Sequence, residues 1–202
     1  MRSTRDNLIQ LFGPQSSPPR TRQVVVIKGQ KIFSEGEAAN YFYKVVRGVV
    51  RTYTILDEGR RQIAGFHWPG DILGLETGAR HRFSASGLCD VTVTAFKRAE
   101  LDIVLASDTA LRAQVLSSLM SSLERVQNQV LMMGRKTARA KIAEFLLDFA
   151  HRASTSKNAD LPVRRSDIAD FLGLSRETVS RALTQLACDG IIEVKGHIPN
   201  DR

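Results

Sequence analysis

Phe171-Leu172-Gly173-Leu174-Ser175-Arg176-Glu177-Thr178-Val179-Ser180-Arg181 is the stretch on which the reading of this 202-residue chain turns. An apolar run closes on a Gly, and two residues later a Ser stands where a new helix can begin. Gly admits the left-handed backbone that a tight helix-to-helix turn needs, and a Ser hydroxyl satisfies one of the free N–H groups at a helix start. Ile168, Ala169, Leu172, Leu174, Val179, Ala182, Leu183 and Leu186 supply the inward faces of two crossed helices, with small Ala169 where the backbones approach. Arg176, Glu177, Ser180 and Arg181 then share one broad face near the start of the second helix, because residues three and four apart are neighbours there. Those groups match base edges: an Arg fork donates twice to guanine, Glu accepts from cytosine N4, and a Ser hydroxyl serves either partner. A solvated Arg–Glu pair worth a few tenths of a kcal/mol is the plainer reading of the same charges, but it leaves the crossed apolar frame unexplained. The expectation is a DNA-reading helix-turn-helix with Arg176, Glu177, Ser180 and Arg181 at the bases.

The formal net charge of +8 and pI of about 9.9 suit a polyanionic partner. The excess does not lie on the reading head. From residue 162 to 202, Arg164, Arg165, Arg176, Arg181, Lys195 and Arg202 are balanced by Asp167, Asp170, Glu177, Asp189, Glu193 and Asp201. It lies in residues 1–31, where Arg2, Arg5, Arg20, Arg22, Lys28 and Lys31 face Asp6 alone, and in the run Arg135, Lys136, Arg139 and Lys141. Lys136 and Arg139, with Ser175 and Thr178, are expected at DNA phosphates, although a solvated helix face explains the same basic run.

Cys89 and Cys188 are far apart and lack a His or Cys partner at ligand spacing, so neither a disulfide framework nor a metal or iron–sulfur site is expected. Nothing resembles a nucleophile elbow, a metal-ligand cluster or a Gly-rich phosphate loop, which argues against an enzyme and against a bound cofactor. No apolar run reaches the ~20 residues of a membrane helix, and the opening residues have no apolar core of a signal peptide. The expected location is the cytoplasm.

Ahead of the reading head lies a β-rich block. Val24-Val25-Val26-Ile27, Lys31-Ile32-Phe33, residues 41–46, 49–55 and 62–66, and Val91-Thr92-Val93-Thr94-Ala95-Phe96 are short β-branched or aromatic runs bounded by Lys28-Gly29, Glu35-Gly36, Arg47-Gly48, Asp57-Glu58-Gly59 and Pro69-Gly70-Asp71. Strands this short and regular predict a small antiparallel barrel or sandwich. The opening stretch, with Gly13-Pro14 and Ser16-Ser17-Pro18-Pro19, reads as a mobile arm. Next comes a long helix whose Leu116, Leu119, Leu123, Val126, Val130 and Met133 alternate spacings of three and four. So narrow a stripe, beside Ser, Gln and Asn, predicts a seam between two copies of the chain, with packing on the chain's own barrel as the alternative. After Gly134 a helix through Ile142, Phe145, Leu146 and Phe149 leads to the reading head. The strand expected over residues 190–196 suggests a wing, which Pro199 leaves short.

Taken together these segments resemble the Crp/Fnr family of transcription regulators. Gly29-Gln30-Lys31-Ile32-Phe33-Ser34-Glu35-Gly36-Glu37, residues 43–53 with Arg47-Gly48-Val49-Val50-Arg51, and residues 65–70 running into Asp71 are similar to its cyclic-nucleotide-binding barrel, and residues 175–181 to its DNA motif. The resemblance implies an α+β chain: a flexible arm (1–23), an antiparallel effector-type β-barrel of cyclic-nucleotide-binding type (24–105), a dimerisation helix (106–134) and a C-terminal winged helix-turn-helix (135–202). Glu177, Ser180 and Arg181 fall where the Fnr and FixK branches carry base-reading residues, which implies a homodimer on a TTGA-N6-TCAA-like palindrome that activates through RNA polymerase. Ser180 replaces the Gly typical of the cyclic-AMP branch, whereas Arg176 is shared with it. The run Asp57-Glu58-Gly59-Arg60-Arg61-Gln62-Ile63-Ala64-Gly65-Phe66 also looks FixK-like or Fnr-like.

Effector chemistry departs from the better-known branches. The family's cyclic-nucleotide pocket uses Gly-Glu for the ribose and Arg-Ser for the phosphate, whereas this chain has Gly74-Leu75-Glu76 and Arg82-Phe83-Ser84. The Fnr oxygen sensor uses an N-terminal cysteine cluster, and no Cys precedes Cys89. A FixK-like protein without a recognised effector fits best. The alternative is a member gated by a cyclic nucleotide or by haem-bound nitric oxide, with His67, His81, His151 and His197 as the available imidazoles.

Overall fold

Val24 and Val26 are buried while Val25 between them is exposed, and that alternation, repeated along the β-rich block, builds two four-stranded sheets in the computed structural model of the chain. The structure describes residues 21–107, 109–135, 137–154 and 163–192. The strands are β1 (Thr21–Val26), β2 (Lys31–Phe33), β3 (Tyr41–Arg47), β4 (Val50–Ile55), β5 (Arg61–His67), β6 (Ile72–Leu73), β7 (Ser84–Gly87) and β8 (Val91–Lys97). One sheet has the order β1-β8-β3-β6 and the other β2-β7-β4-β5. In the first, β8 is central, antiparallel to β1 from Thr21↔Phe96 to Val26↔Val91 and to β3 from Tyr41↔Lys97 to Val45↔Val93. Strand β1 therefore starts at Thr21, inside the stretch expected to be a free arm. Residues 1–20 lie outside the described residues.

The inward residues of both sheets, among them Val24, Ile32, Phe33, Tyr43, Val45, Val50, Leu73, Ala85 and Val93, form one apolar cluster. Burial pushes the Tyr43 phenol up, helped by Tyr41 and Glu37. A second cluster stacks Phe42 on Phe96 at 4.9 Å and is closed by Leu111 and Val115. These come from helix α2 (Thr109–Arg135), which follows α1 (Leu101–Ser107). Ser118, one turn further, accepts a hydrogen bond from the Ile72 N–H at 3.0 Å. The start of α2 thus uses a Leu111–Val115–Ser118 face against the sheet. The seam residues Leu116, Leu119, Leu123, Val126 and Val130 occupy a different face and are exposed, as is Met120. The side chain of Met133 lies outside the described residues.

The chain divides into two compact units, one holding residues through Thr54 and Ala64–Leu119, the other Ile55–Ile63 and the residues from Met120 onward. In the second, α3 (Ala138–Ser154) turns Ile142, Phe145, Phe149 and Ala153 inward, and Phe145 meets Phe149 and Phe171 at ring distances of 5.2 and 5.5 Å. Helices α4 (Arg165–Leu172) and α5 (Arg176–Cys188) complete the core with Ile168, Ala169, Leu172, Val179, Leu183 and Leu186. Residues 190–192 do not start the expected strand. Gly190 takes φ 69°, and the Ile191 and Ile192 N–H groups donate back to the Leu186 carbonyl at 3.0 and 3.4 Å, continuing the end of α5 as a turn. The wing expected beyond, from residue 193, lies outside the described residues.

Candidate nucleic-acid interface

Helix α4 ends because Gly173 adopts the left-handed conformation (φ 66°, ψ 36°), which an L side chain resists, and its N–H closes on the Ala169 carbonyl. The Leu174 N–H donates to the same carbonyl at 3.0 Å. The chain then re-enters a helix at Ser175, whose hydroxyl oxygen accepts from the Thr178 N–H at 3.1 Å. Val179, Ala182, Leu183 and Leu186 face inward, so the opposite side of α5 is fixed by elimination: Arg176, Glu177 and Arg181 are exposed, and Thr178 and Ser180 half-buried. The four residues expected at base edges therefore lie at the accessible start of α5. The N–H of Glu177 itself and the Ser175 side chain, then Arg176 and Arg181, hold the Glu177 carboxyl below its ordinary range. It is an anion, hence an acceptor only, and so suited to a cytosine amino group.

The residues expected at phosphates fare differently. The Ser175 and Thr178 hydroxyls lie 3.0 Å apart and serve the helix cap together. Arg139 spans to Asp189 at the far end of α5, with 2.6 Å between Nη2 and Oδ2. Lys136 lies outside the described residues. Arg165, counted only as one more charge in the sequence, opens α4 and points Nη1 at the Ser180 hydroxyl at 3.4 Å, while its Nε is buried without a hydrogen-bond partner among the described residues. A second unforeseen contact joins Arg61 to Asp167 and Asp170 of α4.

In the other unit, the residues corresponding to an effector pocket are engaged with one another. Gly74 (φ 80°) leaves space that His81 fills; a side-chain carbon there would stand 3.3 Å from the His81 ring. That ring stacks on Phe33 at 3.8 Å and is 4% exposed. The Glu76 carboxylate accepts from the Arg82 backbone N–H at 2.6 Å and lies 3.3 Å from His81 Nδ1. The Arg82 guanidinium sits over the Phe83 ring at 5.7 Å. Among the described residues no group of three or more His, Cys, Asp or Glu side chains could hold a metal ion, and no helix is long and apolar enough to cross a membrane. Cys188 is exposed and Cys89 half-buried, both as free thiols.

Residues 23–108 match the family described as "Cyclic nucleotide-binding domain", and residues 140–200 the family described as "Crp-like helix-turn-helix domain". The chain is 41% identical over 175 residues to the nitrogen fixation regulation protein FixK of Azorhizobium caulinodans, covering 84% of this chain and 71% of that protein. It is 38% identical over 169 residues to the transcriptional activatory protein AadR of Rhodopseudomonas palustris, covering 82% and 71%. Among solved structures, FixK2 of Bradyrhizobium japonicum superposes with a TM-score of 0.78 at 39% identity, over 88% of this chain and 90% of that one.

Proposed function

This chain belongs to the Crp/Fnr family of transcription regulators, and from that premise we propose that it binds a TTGA-N6-TCAA-like inverted repeat as a homodimer and activates transcription through RNA polymerase. The observation that carries this reading is the start of α5, where Arg176, Glu177 and Arg181 are exposed on a helix whose other side is locked into the core. Laid in the major groove, Arg181 presents its fork to a guanine and Glu177 its carboxylate to a cytosine amino group, while the Ser180 hydroxyl meets the neighbouring base. Two such heads need a two-fold axis. The uncovered stripe from Leu116 to Val130 supplies one, and half-site centres then fall about one turn of DNA, ~34 Å, apart. Lys136 adds a phosphate contact. Activation is supported by the name of the relative AadR.

DNA binding proceeds in this reading without a cyclic nucleotide. The Glu76 carboxylate that would bind a ribose is held by the Arg82 N–H, and His81 occupies the space over Gly74. The experiment is competition binding at fixed salt between TTGA and TGTGA palindromes, with and without cyclic AMP. Preference for the TTGA repeat, unchanged by the nucleotide, is expected. Equal affinity for both repeats would remove the branch assignment, and a nucleotide-dependent gain would favour the effector-gated alternative.

A further inference from the structure

The turn between β4 and β5, within residues 55–63, belongs with the C-terminal unit. The turn closes through the Leu56 N–H to the Arg60 carbonyl at 2.9 Å, and Arg60 is held within it by Glu58 at 3.1 Å. Arg61 reaches out instead. Its Nη2 lies 2.7 Å from both Asp167 Oδ1 and Asp170 Oδ2, and its Nε donates to Asp170 Oδ2, also at 2.7 Å. The Asp167 side chain is 1% exposed. A carboxylate so deeply buried is stable only when paired, and two carboxylates one helical turn apart need the planar fork of an Arg to engage both. Asp167 also accepts from the Arg164 N–H at 3.4 Å, so the anion that Arg61 grips is the one that ties off the start of α4. Helix α4 in turn carries the Gly173 turn from which α5 departs.

We propose that residues 55–63 form a strap on the helix-turn-helix and that Arg61 is a positioning residue for DNA recognition. Through Asp167 and Asp170 it fixes α4, and through the Gly173 turn it fixes the direction in which α5 presents Arg176, Glu177, Ser180 and Arg181. Its action is indirect, carried by packed helices, and it explains a basic residue at the start of β5, remote in sequence from the reader. The proposal rests on the reading of α5 as the DNA-contacting helix.

The test uses the full chain, with folding checked by circular dichroism and affinities measured at one salt concentration for a TTGA palindrome and a random duplex. Arg61→Ala is expected to lose about ten-fold on the palindrome and little on random DNA, so that discrimination falls by the same factor. Arg61→Lys should recover only part of it, because an ammonium cannot fork, and Arg60→Ala should match wild type. If Arg61→Ala does not fold, Arg61→Ala with Asp167→Asn removes the stranded buried charge and carries the same expected loss. A folded variant that discriminates within two-fold of wild type, binds more tightly, or loses palindrome and random duplex equally overturns the strap. Wild-type protein that does not discriminate at all would instead sink the DNA reading, and the strap's role with it.

Discussion

Helices α2 and α5 carry apolar residues at the same three- and four-residue spacings and treat them in opposite ways. On α5, Val179, Ala182, Leu183 and Leu186 are 0–8% exposed; on α2, Leu116, Leu119, Leu123, Val126 and Val130 are 49–65% exposed. Helix α2 is not simply a surface helix, because Leu111 and Val115 on another of its faces are buried against the sheet. The stripe is thus what remains after the chain has packed itself. Apolar surface left in water costs roughly 25 cal/mol per Å², and a contiguous row of large side chains marks a surface meant to be covered. A second copy of the same stripe across a two-fold axis is the cover we propose.

The largest expected effect is on the buried side of the comparison. Leu186→Asp places a charge in the helix-turn-helix core at a cost of roughly 3 kcal/mol or more, and should abolish both the helical signal of the C-terminal unit and DNA binding. Leu123→Asp makes the same chemical change on the exposed stripe, where a single chain loses almost nothing. Circular dichroism should be unchanged while sedimentation gives monomers; a fall in thermal stability without a change of mass would mean that the stripe packs on its own chain. Arg181→Ala should cost about 1–3 kcal/mol on the palindrome and little on random duplex, and a uniform loss would remove it from base readout. The smallest effect concerns Glu177. With its carboxyl held low by its own N–H and by Ser175, it protonates at a lower pH than an ordinary carboxylate, and discrimination at its base should be lost at a correspondingly lower pH. Affinities for cognate and singly substituted duplexes across pH check this.

The same contrast explains what was legible in the sequence. Helix α5 announced itself through local chemistry, a Gly at the left-handed turn, a Ser cap and an apolar face, all within about a dozen residues. Strands β6 and β7 did not. Ile72–Leu73 is two residues long, too short to show a period, and Ser84-Ala85-Ser86-Gly87 is small, buried throughout and without a β-branched residue. The stripe of α2 could be read, but whether it was covered depended on which face Leu111, Val115 and Ser118 claimed. Arg61 and Asp167, 106 residues apart, belong to the kind of pairing that local pattern cannot reveal, because each looks like an ordinary surface charge until the fold joins them. The Arg165–Ser180 contact escaped for the same reason.

In the mechanism we propose, the uncovered stripe of α2 brings two reading heads to one DNA site. Sedimentation of the full chain with a palindromic duplex and with a single half-site tests it most directly, with Leu123→Asp alongside. Two chains per palindrome are expected for wild type, with much weaker binding to the half-site, and for Leu123→Asp a palindrome affinity reduced to that of the half-site. One wild-type chain per palindrome, bound as tightly as to the half-site, would contradict it.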